Sequence, residues 1–453
     1  MNNDVQADLD STIDRSPIRP FHLTLFALGI AIVLVDGFDT QAVALVAPDI
    51  GQQWHVATAG FGAVFSIGLL GALLGAILFS TTADRVGRKI PLLIAVSLFG
   101  LVSVLTPLVD SLGALTALRF VTGLGLGGAW PLIIATISDY APARARTVSI
   151  ALATCGFPVG AMCAGLFTSP LSEAFGWPGV FVVGGIVPLV LVPVLAGWFP
   201  ESARFLVARD RRPALDRVLR RLGHPELVGQ TFTTRPVPRR FPVSGLFAGG
   251  RTVGTVLLWI TLFFSLLLSY FLNSWITAMA RVAGFDAHTA ILGAAALNLG
   301  AVIGCLTIGR LTRRYRPAML IGVCYVVGAV FVSLIGQVRT SGPLLLLTVL
   351  LAGFFTIGAQ LCTIPLVAGF YRTEERATGI GWSMGVGRSG GILGPAIGGI
   401  LVAAGLAVPS MFFFGAAMAV CAAIAILGFG WFARRRPAAS NSEASSGLAD
   451  VAS

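Results

Sequence analysis

The chain has 453 residues, of which 56% are hydrophobic and only 11% are charged. A soluble protein cannot bury so much apolar surface, so the composition excludes a soluble protein and predicts a polytopic membrane protein. The formal net charge of +11 is compatible with nucleic-acid binding, but the basic residues lie between apolar runs, which is typical of membrane topology. No nucleic-acid partner is therefore expected.

Cysteine and histidine form no pattern that is typical of a metal or catalytic site. The six cysteines all fall inside apolar runs, and the four histidines lie at run ends or in loops. A glycine-rich phosphate-binding loop ending in Lys-Ser or Lys-Thr is also lacking, which argues against ATP as the energy source. The sequence predicts neither a metal, nor a cofactor, nor an enzymatic activity.

Twelve apolar runs are long enough to cross a bilayer, which requires roughly 20 residues each. They form two groups of six around one polar interval, which predicts an all-α membrane protein with twelve transmembrane helices in two six-helix bundles. The predicted regions are an N-terminal tail (1–20), a first bundle (21–200), a central loop (201–250), a second bundle (251–432) and a C-terminal tail (433–453). Spans one to twelve are predicted at 21–47, 58–81, 90–109, 112–138, 147–169, 178–199, 251–278, 288–311, 318–337, 343–369, 377–404 and 408–432.

The distribution of arginine between the loops predicts the orientation. If the N-terminus is cytoplasmic, the inside loops hold arginine clusters such as those in 204–251 and 310–316, whereas the outside loops hold only Arg281 and Arg339. Both termini are therefore expected in the cytoplasm. The tails are expected to be disordered, and the central loop to carry an amphipathic helix that lies on the anionic inner leaflet.

Two carboxylates, Asp36 and Asp39, lie in the middle of span one. A translocon-based scale assigns about 2.5–3.5 kcal/mol to an Asp at the centre of a membrane helix, so these side chains are expected to face a polar cavity. Their i, i+3 spacing puts both on one helical face, where two neighbouring carboxylates cannot both ionise without cost. We interpret the pair as a proton-coupling site; the alternative is a structural pair that accepts hydrogen bonds or binds arginine permanently.

Two arginines are also predicted inside the membrane. At a rise of 1.5 Å per residue, Asp39 and Arg119 both lie about 10–12 Å from the outer ends of their spans, so the two can meet. Arg119 either holds Asp39 ionised, binds a substrate carboxylate, or forms a purely structural ion pair. Arg388, near the middle of span eleven, either attracts an anion or contacts backbone carbonyls at a helix crossing.

The motifs of the chain resemble those of a known transporter family. The twelve-span plan, the stretch 84–89 between spans two and three, and the stretch 200–206 after span six resemble the major facilitator superfamily. The stretches 36–39, 119–131 and 376–395 resemble, within it, the bacterial aromatic acid:proton symporters. This resemblance implies binding of a substrate between the two bundles and spans seven and ten as part of the cavity wall.

The resemblance also implies which residues bind the substrate and which control the conformation. An aromatic ring requires apolar walls and a few orienting polar groups. Besides Arg119 and Arg388, the expected substrate-binding residues are Phe38, Asn273, Gln360 and Trp382, with Trp130, Tyr270 and Trp275 as further candidates. A conformational latch at the cytoplasmic end is expected to comprise Asp84, Arg85, Arg88, Lys89, Asp139 and Arg144.

Together these features predict a proton-coupled symporter that imports a small aromatic carboxylate of benzoate or hydroxybenzoate type by alternating access. It is expected to act as a monomer in the lipid bilayer of the bacterial inner membrane. Two alternatives within transport are uptake of another organic anion and drug efflux by proton exchange. A third alternative, from a different class, is a chemoreceptor that binds aromatic acids without transporting them.

Overall fold

The computed structural model describes residues 7–230, 232–233, 243–248, 250–371 and 375–435. Eleven helices within these residues are long and apolar enough to cross a membrane. The α-helices are α1 Leu9–Arg15, α2 Pro20–Trp54, α3 Phe61–Val86, α4 Lys89–Leu105, α5 Leu112–Tyr140, α6 Ala143–Trp198, α7 Ala203–Ala208, α8 Arg212–Leu222, α9 Thr252–Val282, α10 Ala287–Leu311, α11 Pro317–Ile335, α12 Gly342–Phe355, α13 Ile357–Phe370, α14 Arg376–Ala403 and α15 Val408–Arg435. Two short strands, β1 Ala7–Asp8 and β2 Phe232–Thr233, pair in parallel.

The count of eleven instead of twelve comes from α6. Predicted spans five and six both fall within this 56-residue helix, which is interrupted at Gly176. Gly176 has φ 67° and ψ 178°, a backbone conformation that glycine adopts readily because it lacks a Cβ atom. The chain therefore crosses the bundle twice within α6, and the prediction of an all-α fold is confirmed.

Polar residues define where several helices begin. The side chain of Ser111 accepts a hydrogen bond from the Ala114 amide at 3.4 Å and begins α5, and Asp286 accepts from the Thr289 amide at 2.9 Å and begins α10. Such caps satisfy amide groups that have no partner inside the helix.

Predicted span ten is divided at Thr356, where φ is −98° and ψ is −65° between α12 and α13.

The helices form two halves, α2–α6 and α9–α15. We call the end of the bundle where α2 begins and α15 ends the terminal end, and the opposite end the far end. One buried hydrophobic cluster at the far end contains residues of both halves, including Phe61, Trp177 and Trp275. At the terminal end, each half has a separate cluster. The two halves are thus joined through a common core at the far end.

Direct contacts between the halves support the same conclusion. Arg281 of α9 forms an ion pair of 2.8 Å with Asp49 of α2, and the Ser66 hydroxyl donates to the Ile392 carbonyl at 2.7 Å. The backbones of α3 and α14 approach so closely that a Cβ atom on Gly62 would lie 2.9 Å from the Cα of Gly399. Small residues permit this approach, which is characteristic of helix crossings in membranes.

The N-terminal segment and the central loop differ from the expectation. Residues 9–15 form a helix instead of a disordered tail, because Leu9 and Ile13 are buried in the terminal-end cluster of the first half. The apolar side chains of α8, including Leu215 and Leu219, belong to the same cluster, so protein and not lipid covers this helix face. The C-terminal tail 437–453 lies outside the described residues.

Candidate functional site

A cavity of about 190 Å³ lies between the two halves. It is lined by α2, α3, α5 and α6 on one side and by α9, α10, α13 and α14 on the other. Its walls are mainly apolar, with a small set of polar and charged side chains, which is the usual composition of a small-molecule site. Six of the eight residues expected to handle protons or substrate line it: Asp36, Asp39, Arg119, Asn273, Gln360 and Arg388.

Asp39 and Arg119 form the most buried charged pair of the cavity. The Nη1 atom of Arg119 lies 3.0 Å from Oδ2 of Asp39, and the two side chains are only 5% and 1% exposed. The Ser103 hydroxyl donates to the other oxygen of Asp39 at 2.5 Å, and Nη2 of Arg119 donates to the Thr106 hydroxyl at 2.9 Å. The Arg119 guanidinium also lies 5.0 Å from the centroid of the Phe181 ring. A buried pair with these additional partners retains both charges at lower cost.

Asp36 and Arg388 are less constrained. Asp36 is buried and accepts one hydrogen bond, from Thr40 at 3.3 Å. Arg388 lies 5.9 Å from the centroid of the Trp130 ring, which belongs to the opposite half. Among the described residues neither Asp36 nor Arg388 has an ion-pair partner within 4.0 Å. The cavity therefore presents one carboxyl group and one guanidinium group that can interact with a ligand or a proton.

Uncharged polar side chains line the wall formed by the second half. The Asn298 amide donates to the Asn273 side chain at 3.0 Å, and the Ser269 hydroxyl donates to Gln360. Gln41 of α2 donates to the backbone carbonyl of Asn273 at 3.0 Å and so connects this wall to the first half.

The aromatic candidates divide into two groups. Trp130 and Tyr270 line the cavity. Phe38 packs beside Gly184 of α6 and lies outside the cavity lining, and Trp382 is 47% exposed and stacks on Trp259. Trp275 is buried in the far-end cluster, where its indole donates to the Pro395 carbonyl at 3.1 Å. The structure thus does not bring Phe38, Trp275 or Trp382 to the charged groups.

The expected latch residues lie at the terminal end, and only some of them contact one another. Arg88 forms an ion pair of 2.7 Å with Asp139, which also accepts a hydrogen bond from Ser202 at 2.8 Å. Glu201, which the sequence analysis did not assign, accepts from the backbone amides of Arg88 at 2.6 Å and Lys89 at 3.3 Å. The remaining members, Asp84, Arg85 and Arg144, are exposed, and within the described chain none of their side chains forms an ion pair.

The sequence pattern also did not identify Ser103 and Thr106, which contact the buried Asp39–Arg119 pair. Both lie in the apolar span three, three positions apart, and this spacing is the signal that could have identified them. Polar side chains in a membrane helix tend to contact other polar groups, as these two do. Glu201 lies inside the stretch 200–206, which carries part of the resemblance to the major facilitator superfamily.

Comparison with known proteins agrees with this architecture. A sequence profile described as the Major Facilitator Superfamily matches residues 29–364 and 258–451. This chain belongs to the major facilitator superfamily. The superfamily assignment confirms the expected resemblance, and it confirms that the chain is a transporter-family protein and not an enzyme.

Several relatives are named for aromatic acids. The chain is 38% identical over 410 residues to the 4-hydroxybenzoate transporter PcaK of Pseudomonas aeruginosa, a match that covers 88% of this chain and 90% of the relative. It is 35% identical over 430 residues to the gallate transporter of Pseudomonas putida, covering 94% and 96% of the two chains. It is 30% identical over 407 residues to the benzoate transport protein of Acinetobacter baylyi, covering 88% and 87%. The expected assignment to the aromatic acid transporters of the superfamily is thereby confirmed.

Solved structures share the fold at low sequence identity. A bacterial homolog of the human lysosomal transporter Spinster, in an inward-facing and occupied conformation, is similar with a TM-score of 0.70 and 18% identity, covering 93% of this chain and 98% of that chain. The xylose transporter XylE from E. coli, in a partially occluded inward-open conformation, has a TM-score of 0.69 and 16% identity, covering 90% and 97%. These similarities establish the fold of the chain as that of the major facilitator superfamily.

Proposed function

We propose that this protein is a proton-coupled symporter that imports a small aromatic carboxylate, of benzoate or hydroxybenzoate type, by alternating access. The observation that carries the proposal is Arg388, a guanidinium in the cavity that lies over the Trp130 ring and has no ion-pair partner among the described residues. A carboxylate satisfies such a cation, and an aromatic ring fits beside an aromatic wall. The names of the relatives support the same substrate class.

In this proposal, Asp36 and Asp39 couple the movement of a proton to the movement of the substrate. Asp36 is held by a single hydrogen bond from Thr40 and takes up the proton first, whereas Asp39 is paired with Arg119. When the proton passes on to Asp39, this carboxylate loses its charge and its ion pair with Arg119 weakens. Arg119 then contributes positive charge to the site, which favours binding of the anionic substrate together with the proton.

Transport follows from movement of the two halves about this site. With the halves joined at the far end, the arrangement corresponds to a state that is open toward the terminal end. We assign the terminal end to the cytoplasm of a bacterial inner membrane, since arginine is concentrated in the loops there. The Arg88–Asp139 pair and Glu201 act as part of the latch. The latch sets the relative populations of the states that are open toward the terminal end and toward the far end.

The replacement Asp39→Asn tests the coupling. We expect the variant to lose accumulation of a labelled aromatic acid into vesicles against its concentration gradient, because Asn cannot release a proton and leaves Arg119 without its charged partner. Asp110→Asn is the matched control, since Asp110 is exposed and lies outside the cavity. Size-exclusion chromatography verifies that both variants are folded. Accumulation by Asp39→Asn at the level of the unmodified protein would refute the assigned coupling role.

A further inference from the structure

The cavity contains a second polar cluster besides the charged groups. Gln360 of α13, Ser269 and Asn273 of α9, and Asn298 of α10 form what we call the amide cluster. All four side chains are uncharged and all belong to the second half. Buried polar groups of this kind are retained when they are hydrogen-bonded to one another or to a ligand.

Three of the four side-chain N–H groups of the two asparagines donate hydrogen bonds within the protein. The side-chain nitrogen of Asn298 has two N–H groups, which donate to the Asn273 side chain and to the Ala294 carbonyl, each at 3.0 Å. The side-chain nitrogen of Asn273 donates to the Ser269 carbonyl at 2.9 Å. These contacts fix both asparagines against the cavity wall.

Gln360 differs from the asparagines. Its side-chain oxygen accepts a hydrogen bond from the Ser269 hydroxyl, which fixes the orientation of the amide. No described residue accepts a hydrogen bond from its side-chain nitrogen, although Gln360 lines the cavity. Gln360 therefore brings to the cavity wall two amide N–H donors that no described residue accepts.

Two neighbouring residues of α9 contact the helices that carry Arg388 and Gln360. The Tyr270 ring lies against Gly391 of α14, one helical turn after Arg388, whereas the adjacent Ser269 contacts Gln360 of α13. Because Arg388, Tyr270 and Gln360 line the same cavity, an aromatic acid whose carboxylate binds Arg388 can extend along Tyr270 toward α13. A substituent that reaches Gln360 encounters a hydrogen-bond donor and not an apolar wall.

We propose that Gln360 is a specificity-determining residue, oriented by Ser269, that donates a hydrogen bond to a hydroxyl group on the aromatic ring. The protein accordingly prefers hydroxybenzoates to unsubstituted benzoate, because benzoate leaves the Gln360 donors without a partner when it displaces water. This inference rests on the proposed function, since it takes the same cavity as the site of an aromatic carboxylate.

The test measures binding of 4-hydroxybenzoate, 3-hydroxybenzoate and benzoate to the purified full-length protein by competition with a labelled acid. We expect at least one hydroxybenzoate to bind about tenfold more tightly than benzoate. Gln360→Leu should remove most of this difference by weakening hydroxybenzoate binding about tenfold relative to benzoate binding.

Two further variants complete the test. Ser269→Ala retains the Gln360 amide but releases its orientation, so it should reduce the ratio of the hydroxybenzoate affinity to the benzoate affinity. Gln337→Leu is the matched control, because Gln337 is exposed beyond the end of α11 and lies outside the cavity; both affinities should be retained.

The possible results separate this inference from the proposed function. Equal affinities for all three acids in the unmodified protein, or an equal loss for all three in Gln360→Leu and Ser269→Ala, would overturn the role of Gln360 and leave aromatic acid binding intact. Absence of binding for all three acids to folded protein would instead refute the proposed function, and this inference with it.

Discussion

At the scale of single residues, Arg119 is the most heavily coordinated charged group of the cavity. Its two terminal nitrogens donate to different partners, Asp39 and Thr106, which lie on different helices. The planar guanidinium group of arginine can make both contacts at once, whereas the ammonium group of lysine acts as a compact point charge on a flexible chain. The geometry around Arg119 therefore requires arginine and not merely a positive charge.

The replacement Arg119→Lys tests this requirement. We expect proton-driven uptake to fall at least about tenfold, because the lysine cannot contact Asp39 and Thr106 simultaneously. Uptake of a labelled aromatic acid into vesicles is the measurement. Arg339→Lys, at an exposed position near the far end of α11, is the control and should leave uptake unchanged. If Arg119→Lys transports normally, charge alone is sufficient at this position.

The sequence predicted part of the environment of Arg119. The contact between Asp39 and Arg119 follows from their depths, because helix rise converts position in a span directly into depth. The directions of Phe38 and Trp382 do not follow in this way, since the rotation of each helix about its axis is determined by packing against its neighbours. Those two aromatic side chains consequently face away from the charged groups.

At the scale of helices, the crossing of α2 and α6 positions the carboxylates. A Cβ atom on Gly160 of α6 would lie 1.8 Å from the Leu34 carbonyl oxygen, and one on Gly37 would lie 2.1 Å from that of Phe157. Glycine is thus needed on both helices for the backbones to touch. Because Asp36 and Asp39 lie on the same part of α2, this crossing also determines where they enter the cavity.

The replacement Gly160→Ala should separate the two helices and destabilise the protein by about 1–3 kcal/mol, a typical cost of overpacking. We expect a lower apparent melting temperature of the purified protein in detergent. Gly197→Ala is the control on the same helix, since no atom lies within 4 Å of a Cβ atom added at Gly197. Equal melting temperatures of the two variants would contradict the proposed importance of this crossing.

The hydrophobic pattern of the sequence predicted well which segments form helices. It predicted less well what each helix packs against and where a helix is broken. The apolar face of α8 follows from its periodicity, but periodicity cannot distinguish a covering of lipid from the protein cluster that contains Leu9 and Ile13. The division of span ten falls at Thr356, between Gly353 and Gly358 and not at either glycine, so the sequence does not locate it. Gly176, followed by Pro178, does mark the interruption within α6.

At the scale of the whole molecule, the two halves are joined at the far end. The ion pair between Asp49 and Arg281 connects α2 to α9 there, and the common hydrophobic cluster surrounds the same region. The proposed alternating access requires these contacts to break when the site opens toward the far end. The ion pair should therefore stabilise the state that is open toward the terminal end.

The replacement Asp49→Asn should shift this balance toward the state open at the far end. Ser274 lines the cavity, so Ser274→Cys provides a reporter in a protein whose native cysteines are replaced by alanine. We expect Asp49→Asn to increase severalfold the reaction of this cysteine with a membrane-impermeant maleimide added from the far end. Asp110→Asn is the control and should leave the rate unchanged, and an unchanged rate in Asp49→Asn would contradict the gating role of the ion pair.

Two groups of six apolar runs in the sequence were sufficient to predict the two-bundle fold, because each span must satisfy its backbone hydrogen bonds internally. The conformational state was not predictable in this way. The same spans and the same motifs serve every state of a transporter, and only contacts such as Asp49–Arg281 distinguish which end of the cavity is closed.

Uptake of labelled 4-hydroxybenzoate into vesicles that contain the purified protein tests the central claim most directly. The measurement compares an imposed inward proton gradient with the same vesicles after the gradient has been collapsed. We expect accumulation above the external concentration with the gradient and only equilibration without it. Equal accumulation under both conditions would contradict proton coupling, and no uptake of any aromatic acid by folded protein would contradict the proposed substrate class.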